Sequence, residues 1–310
     1  MSKAPELRYV HRSGQPLAAV HHRAGAEATP RRLAYWDWPC SKPGNTHAVV
    51  CVHGLSRQGR DFDTLASQLI QHARVVCPDM PGRGHSDWLE DPMAYQIPTY
   101  AMDVAGLIVE LAQQGITTFD WVGTSMGGLI GMVMAAQPQV PLRRMVLNDV
   151  GPAIEPDALL RIGTYLGKAP RFATQESAAD YLWSISESFG PHTPEQWRAL
   201  CAPMLREHEG AWLLHYDPAI AEPFKAHTAE TAAAAAAEGE AMLWRIYENL
   251  QLPTLLIRGA DSDLLSPETA HRMTQMGPRA TRVDVAGVGH APTLIQPDQV
   301  ALVEAFLFSS

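Results

Sequence analysis

F-D-W-V-G-T-S-M-G-G-L-I-G-M-V-M-A-A, from Phe119 to Ala136, is the stretch from which the chain is read. Trp121 and Val122 form a short apolar run, Gly123 to Gly128 is rich in glycine, and Leu129, Met132, Val133 and Ala136 then recur at helical spacing until Pro138. The spacing predicts strand, tight turn, helix. Within the turn, Gly123-Thr124-Ser125-Met126-Gly127 fits G-x-S-x-G, in which a serine sits on a strained turn at the top of a sheet and the glycines admit neighbouring backbone. The helix that follows directs its first N–H groups at any charge developing beside Ser125. A glycine turn fits this pattern by chance as well, but the strand before it and the helix after it are what a nucleophile requires.

Around this stretch the chain reads as alternating strands and helices. Ala48 to Val52 and Val75 to Cys77 are apolar without alternation, as strands covered on both faces of a parallel sheet are. Phe62, Leu65, Ala66, Leu69 and Ile70 share one helical face, and Val104, Leu107, Ile108, Leu111 and Ala112 share another. Upstream, Leu7 to His22 suggests two strands turning at Ser13-Gly14-Gln15, and Arg31 to Trp38 a further strand. After the strand Met145 to Leu147 the alternation breaks off and resumes only at Leu255. So long a connection must carry its own structure. Residues 1–151 and 250–310 are therefore expected to form one α/β core, a mostly parallel sheet with helices on both faces, and 152–249 an inserted helical cap. The cap contains Trp183, Trp197, Trp212 and Trp244 and the alanine run Ala232 to Ala237, which favours helix. Trp244, where the cap rejoins the core, is expected to line a substrate pocket, the others to pack within the cap. Ser266 before Pro267 predicts a capped helix start, and Pro297 to Phe308 a final helix.

Composition excludes several classes. At 310 residues, with 46% hydrophobic and 18% charged residues, the chain is ordinary for a globular protein, and its formal charge of -9 disfavours nucleic acid and anionic membrane surfaces as partners. No apolar run reaches transmembrane length and the first residues lack the apolar core of a signal peptide, so a cytoplasmic protein is expected. Cys40, Cys51, Cys77 and Cys201 show no C-x-x-C spacing and read as reduced thiols. No metal is implied by any His or Cys spacing, and Gly82-Arg83-Gly84 lacks the rest of a dinucleotide fingerprint. No cofactor is expected.

A serine nucleophile needs a histidine base oriented by a carboxylate. His290, in the glycine-flanked loop after Val283 to Val285, suits the base. For the acid, Asp261 and Asp263 follow the strand ending at Gly259, and Asp149 follows the strand ending near Asn148. At H-G-L (53 to 55), D-M-P-G-R-G-H-S (79 to 86), G-T-S-M-G-G (123 to 128), R-G-A-D-S-D-L-L-S-P (258 to 267) and G-H-A-P (289 to 292) the chain resembles the α/β-hydrolase superfamily, in its serine branch with a cap, over nearly everything outside the insertion. The resemblance implies a Ser125, Asp263, His290 triad, because the acid of such relatives stands four residues before a helix-opening proline, here Pro267. Asp261 lacks that spacing, and Asp149 occupies a position that some members use. It also implies an oxyanion hole from the backbone N–H groups of Leu55 and Met126, with His53 structural. Arg57, near that loop, offers a site for a substrate carboxylate, or is simply solvated.

The function that follows is hydrolysis of a carboxylic ester or related small acyl substrate through an acyl-enzyme on Ser125. Hydrolases of carbon-carbon bonds in ring-fission products share the serine triad and cap but typically carry a longer glycine-rich loop than His53 to Ser56. A non-catalytic pocket-binding protein of the same fold is the alternative from another class, and usually lacks a triad member. Neither the substrate nor the oligomeric state is fixed by these residues.

Overall fold

The computed structural model describes residues 4–14, 28–225 and 229–309. In chain order the first part holds β1 (Glu6–Gly14), β2 (Ala28–Trp38), β3 (His47–Val52), α1 (Asp63–Leu69), β4 (Arg74–Pro78), α2 (Ile97–Gln113), β5 (Thr118–Thr124), α3 (Met126–Ala135) and β6 (Leu142–Asn148). The intervening segment holds α4 (Pro156–Gly163), β7 (Arg171–Phe172), α5 (Gln175–Ser184), α6 (Pro194–Cys201), β8 (Leu205–His208), β9 (Ala211–Leu214), α7 (Glu222–Lys225) and α8 (Ala229–Glu248). The chain then returns through β10 (Thr254–Gly259), α9 (Pro267–Gln275), β11 (Thr281–Val285) and α10 (Pro297–Phe308).

Eight strands form the main sheet in the order β1-β2-β4-β3-β5-β6-β10-β11. The strands from β4 to β11 pair in parallel, while β1 with β2 and β2 with β4 are antiparallel. The parallel strands are apolar because both faces are covered. On one face Val50, Val52, Trp121 and Leu147 pack beneath α2 and α3, and on the other Val49, Cys51, Val122 and Ile257 pack against α1 and α10. Fully burying each such apolar side chain contributes on the order of 1.5–3 kcal/mol, and the sheet centre, where β3 and β5 lie, is buried on both faces. It is also where the G-x-S-x-G turn emerges.

At the N-terminus the described strands are β1 and β2. The partner of β1 is β2, with Leu7 opposite Trp36 and Val10 opposite Leu33, whereas the second strand expected before His22 lies outside the described residues. The described part of the segment between β6 and β10 is mostly helical and also contains a three-stranded antiparallel sheet, β7-β9-β8. Those strands are two to four residues long, too short for an alternating pattern to appear in sequence. Residues 234–237 of the alanine run are helical and exposed.

Candidate active site

The turn after β5 has the geometry its residues demand. Ser125 adopts φ 52° and caps α3, a conformation uncommon for a residue with a side chain. Its backbone N–H donates to the carbonyl of Asn148 at 3.0 Å. The glycines are needed for space, since a Cβ on Gly127 would stand 1.9 Å from the carbonyl oxygen of Val52 and one on Gly123 would stand 2.4 Å from the Gly127 backbone. The indole of Trp121 donates to the Gly127 carbonyl at 3.0 Å, which pins the helix to the strand that launches it.

His290 meets this serine. Its Nε2 lies 2.9 Å from Ser125 Oγ, and its Nδ1 lies 2.7 Å from Oδ2 of Asp149. The acid expected from the proline spacing is thereby displaced: Asp263 is turned to Arg161, which it holds in a two-pronged ion pair at 2.6 and 2.9 Å. Asp261 is exposed. The physical reason is the sheet order. β6 lies between β5 and β10, with Asn148 opposite both Thr124 and Ile257, so the residue after Asn148 is the nearer carboxylate to a ring poised over Ser125. Asp149 also has φ 54°, which turns its chain out of the strand. It is fully buried, with Oδ1 accepting from Gly259 N at 2.9 Å and Oδ2 from Ser262 Oγ at 2.7 Å. Two donors besides the imidazole fix the carboxylate's orientation. No local pattern of residues singles out Ser262 for this role.

The loop after β3 lies against the nucleophile. The ideal Cβ position of Gly54 is 3.7 Å from Ser125 Cβ, and Leu55 lines the same cavity as Ser125. Met126 supplies the first N–H of α3. His53 is structural: its Nδ1 donates to the carbonyl of Gly54 at 2.7 Å and its Nε2 accepts from Met80 N at 2.9 Å. Burial holds the ring neutral and pushes its pKa down to about 3. Arg83, read only as part of an incomplete glycine motif, is fully buried and donates from Nε to the Leu55 carbonyl at 2.8 Å and from Nη1 to Pro81 O and Tyr100 Oη. It braces the loop from behind.

Arg57 is buried rather than solvated. Its fork grips Asp61 at 2.6 and 2.7 Å, and Nη2 also reaches Leu200 O at 3.3 Å. Trp244 is corrected outright. It does not line the cavity beside Ser125; it is buried beneath Arg272, whose guanidinium carbon is 3.6 Å from the ring centroid, and it meets Tyr247 edge-on. The helix carrying it, α8, packs on α3 of the core, and none of its described residues lines that cavity. The aromatic side chains that do line the cavity are Tyr165 and Phe189.

That cavity measures about 70 Å³ and is bounded by the β3 loop, Ser125, His290 and residues of α4, α5 and the one-turn helix Glu187–Phe189. Ser188 in that turn donates to the carbonyl of His290 at 2.8 Å and accepts from Gly289 N at 2.6 Å through its own carbonyl. A hydroxyl, an imidazole and a buried carboxylate in series can pass the hydroxyl proton to the ring while a nucleophilic oxygen forms. Among the described residues no group of three or more His, Cys, Asp or Glu side chains is arranged to hold a metal ion, and no helix is long and apolar enough to cross a membrane. The four cysteines are free thiols.

A mostly parallel sheet with a strained serine between strand and helix defines a class, and the chain belongs to it: residues 49–303 match the alpha/beta hydrolase family. Among characterised relatives it is 50% identical over 279 residues to the 3-hydroxybutyrate-oligomer hydrolase of Cupriavidus necator, covering 89% of this chain and 92% of that one. Among solved structures it resembles an alpha/beta hydrolase from Novosphingobium aromaticivorans, with 34% identity, a TM-score of 0.77 and 98% of each chain covered. A second structure, from Rickettsia typhi, superposes with a TM-score of 0.83 at 25% identity over 97% of this chain and 98% of that one.

Proposed function

We propose that the protein is a serine ester hydrolase acting on short oligomers of hydroxyacyl esters, of which 3-hydroxybutyrate oligomers are the type. The observation that carries this reading is the series Ser125, His290, Asp149, hydrogen-bonded at 2.9 and 2.7 Å on the strained turn. The similarity to the Cupriavidus necator hydrolase supports the substrate class.

Ser125 Oγ attacks the ester carbonyl and His290 Nε2 takes its proton, while Asp149 steadies the imidazolium and keeps Nδ1 protonated. Negative charge on the carbonyl oxygen is met by the N–H groups of Met126 and Leu55. Collapse of the tetrahedral intermediate breaks the bond to the alkoxy oxygen, which leaves as an alcohol with the proton from His290. Water then gives a proton to His290 and its oxygen to the acyl carbon. The acid departs and Ser125 recovers its proton. One water is consumed for each ester bond cleaved. Residues 152–249 act as a lid in this scheme, because parts of that segment roof the cavity and about 70 Å³ is well below the several hundred typical of a ligand pocket. The lid therefore shifts to admit an oligomer.

The test is labelling by a fluorophosphonate together with release of 3-hydroxybutyrate from its dimer and trimer. Wild type is expected to label at Ser125 and to release acid, while Ser125→Ala does neither. Cleavage retained at a tenth of the wild-type rate in Ser125→Ala would refute the mechanism.

A further inference from the structure

We infer that Arg161 is the recognition group for a free carboxylate on the alcohol side of the scissile ester, as at the acid end of a hydroxyacid oligomer, and that Asp263 occupies its guanidinium until such a substrate binds. This deepens the reading above and rests on Ser125 as nucleophile.

The charge of the cavity is the first observation. The chain as a whole carries a formal charge of -9, yet the residues lining the cavity beside Ser125 include Arg57 and Arg161 and no aspartate or glutamate. Each guanidinium is balanced by a carboxylate outside that lining, Asp61 for Arg57 and Asp263 for Arg161, so what the cavity offers an anion is a cation whose present partner it can replace.

The second observation separates the two arginines. Arg57 is committed: it is buried, both prongs of its fork are on Asp61, and Nη2 is shared with Leu200 O. A substrate that displaced Asp61 would leave that carboxylate largely buried without its partner, which is strongly unfavourable. Arg161 is bound just as neatly to Asp263, but there the side chains are 35% and 43% exposed. An ion pair open to water is worth little, since either member is readily solvated when released. Substrate carboxylate can therefore take the place of Asp263 on the same two nitrogens, with the guanidinium paired before and after.

Placement is the third. Arg161 and Ile162 lie on α4 and Tyr165 just past its end, its hydroxyl against Arg161, and all three line the cavity together with Leu182 and Ile185, so the cation stands beside apolar side chains. That combination suits a short aliphatic chain ending in a carboxylate. Arginine suits it better than lysine because its planar fork matches both carboxylate oxygens at once.

The experiment compares kcat/KM for the 3-hydroxybutyrate dimer as free acid and as its methyl ester, using the full chain. Wild type is expected to favour the acid. Arg161→Gln should lower the acid-to-ester ratio roughly two- to fivefold, the range of a partly exposed ion pair, with the loss mainly in KM. Arg161→Lys should recover part of it. Asp263→Asn should raise the ratio a few-fold by freeing the guanidinium, and this variant decides the matter should Arg161→Gln not fold. A wild-type ratio at or below one, or a ratio unmoved by Arg161→Gln and by Asp263→Asn, overturns the inference while fluorophosphonate labelling and ester cleavage leave the serine mechanism standing. Absence of both labelling and cleavage in wild type overturns the two together.

Discussion

Replacing Asp149 by asparagine is the sharpest test of the site, because the structure fixes which way the new amide must point. Oδ1 of Asp149 accepts from the backbone N–H of Gly259, while Oδ2 faces both Ser262 Oγ and His290 Nδ1. In the Asp149→Asn variant the amide carbonyl oxygen stays on the Gly259 N–H, and the NH2 group takes the place of Oδ2. It then directs a hydrogen at His290 Nδ1, which can only accept. The ring is forced into the tautomer with its proton on Nε2, aimed at Ser125 Oγ, and cannot receive the serine proton. A wrong tautomer with geometry intact costs roughly four orders of magnitude in turnover. The assay is kcat on a short-chain p-nitrophenyl ester, with circular dichroism to confirm that the variant folds. Asp261→Asn should stay near wild type, since Asp261 is exposed and takes no part in the relay. A folded Asp149→Asn that loses less than tenfold, or an Asp263→Asn that loses as much as Asp149→Asn, would refute the assignment of the acid.

Two further outcomes concern stability. Gly127→Ala should destabilise the protein by about 3 kcal/mol or prevent folding, because the added carbon would lie 1.9 Å from the Val52 carbonyl oxygen and backbone on both sides must move; urea unfolding measures it, and a loss below about 1 kcal/mol would contradict the packing described. His53 is held neutral in the fold, with its pKa near 3 against about 6.5 in the unfolded chain. Between those values the unfolded chain binds the extra proton, so this residue's contribution to stability falls as pH drops, by about 2 kcal/mol from pH 7 to pH 5. His53→Gln should be less stable at pH 7 yet flatter with pH over that range, and parallel pH profiles for the two proteins would show that His53 titrates normally.

Much of this architecture is legible in the residues. Gly123 to Gly128 announces the turn, the apolar runs at Ala48 and Leu255 announce buried parallel strands, and His290 is found from its place after the last strand. The carboxylate is not legible for a physical reason. Asp149 and Asp263 both follow strand ends, and the choice between them depends on β6 and β10 being neighbours in the sheet, a fact of topology that no local pattern carries. Trp244 misleads in a related way: its position near the return to the core is correct, but the side of α8 that faces α3 depends on how a helix is rotated about its axis. Arg57 and Arg161 are equivalent as letters. Only burial distinguishes a guanidinium locked to Asp61 from one resting on an exposed Asp263.

The contact between Ser188 and the His290 loop bears on how such an enzyme can be rebuilt. Gly289 and His290 exchange hydrogen bonds with a single residue of the segment that roofs the cavity, so the loop carrying the imidazole is anchored partly from above and not from the sheet alone. A roof borrowed from another hydrolase to change the substrate range brings no such anchor unless its own chain offers a hydroxyl and a carbonyl at this spot. Transplanting specificity here means transplanting that clasp as well, and a chimera lacking it starts with a loosened imidazole before any new substrate is offered.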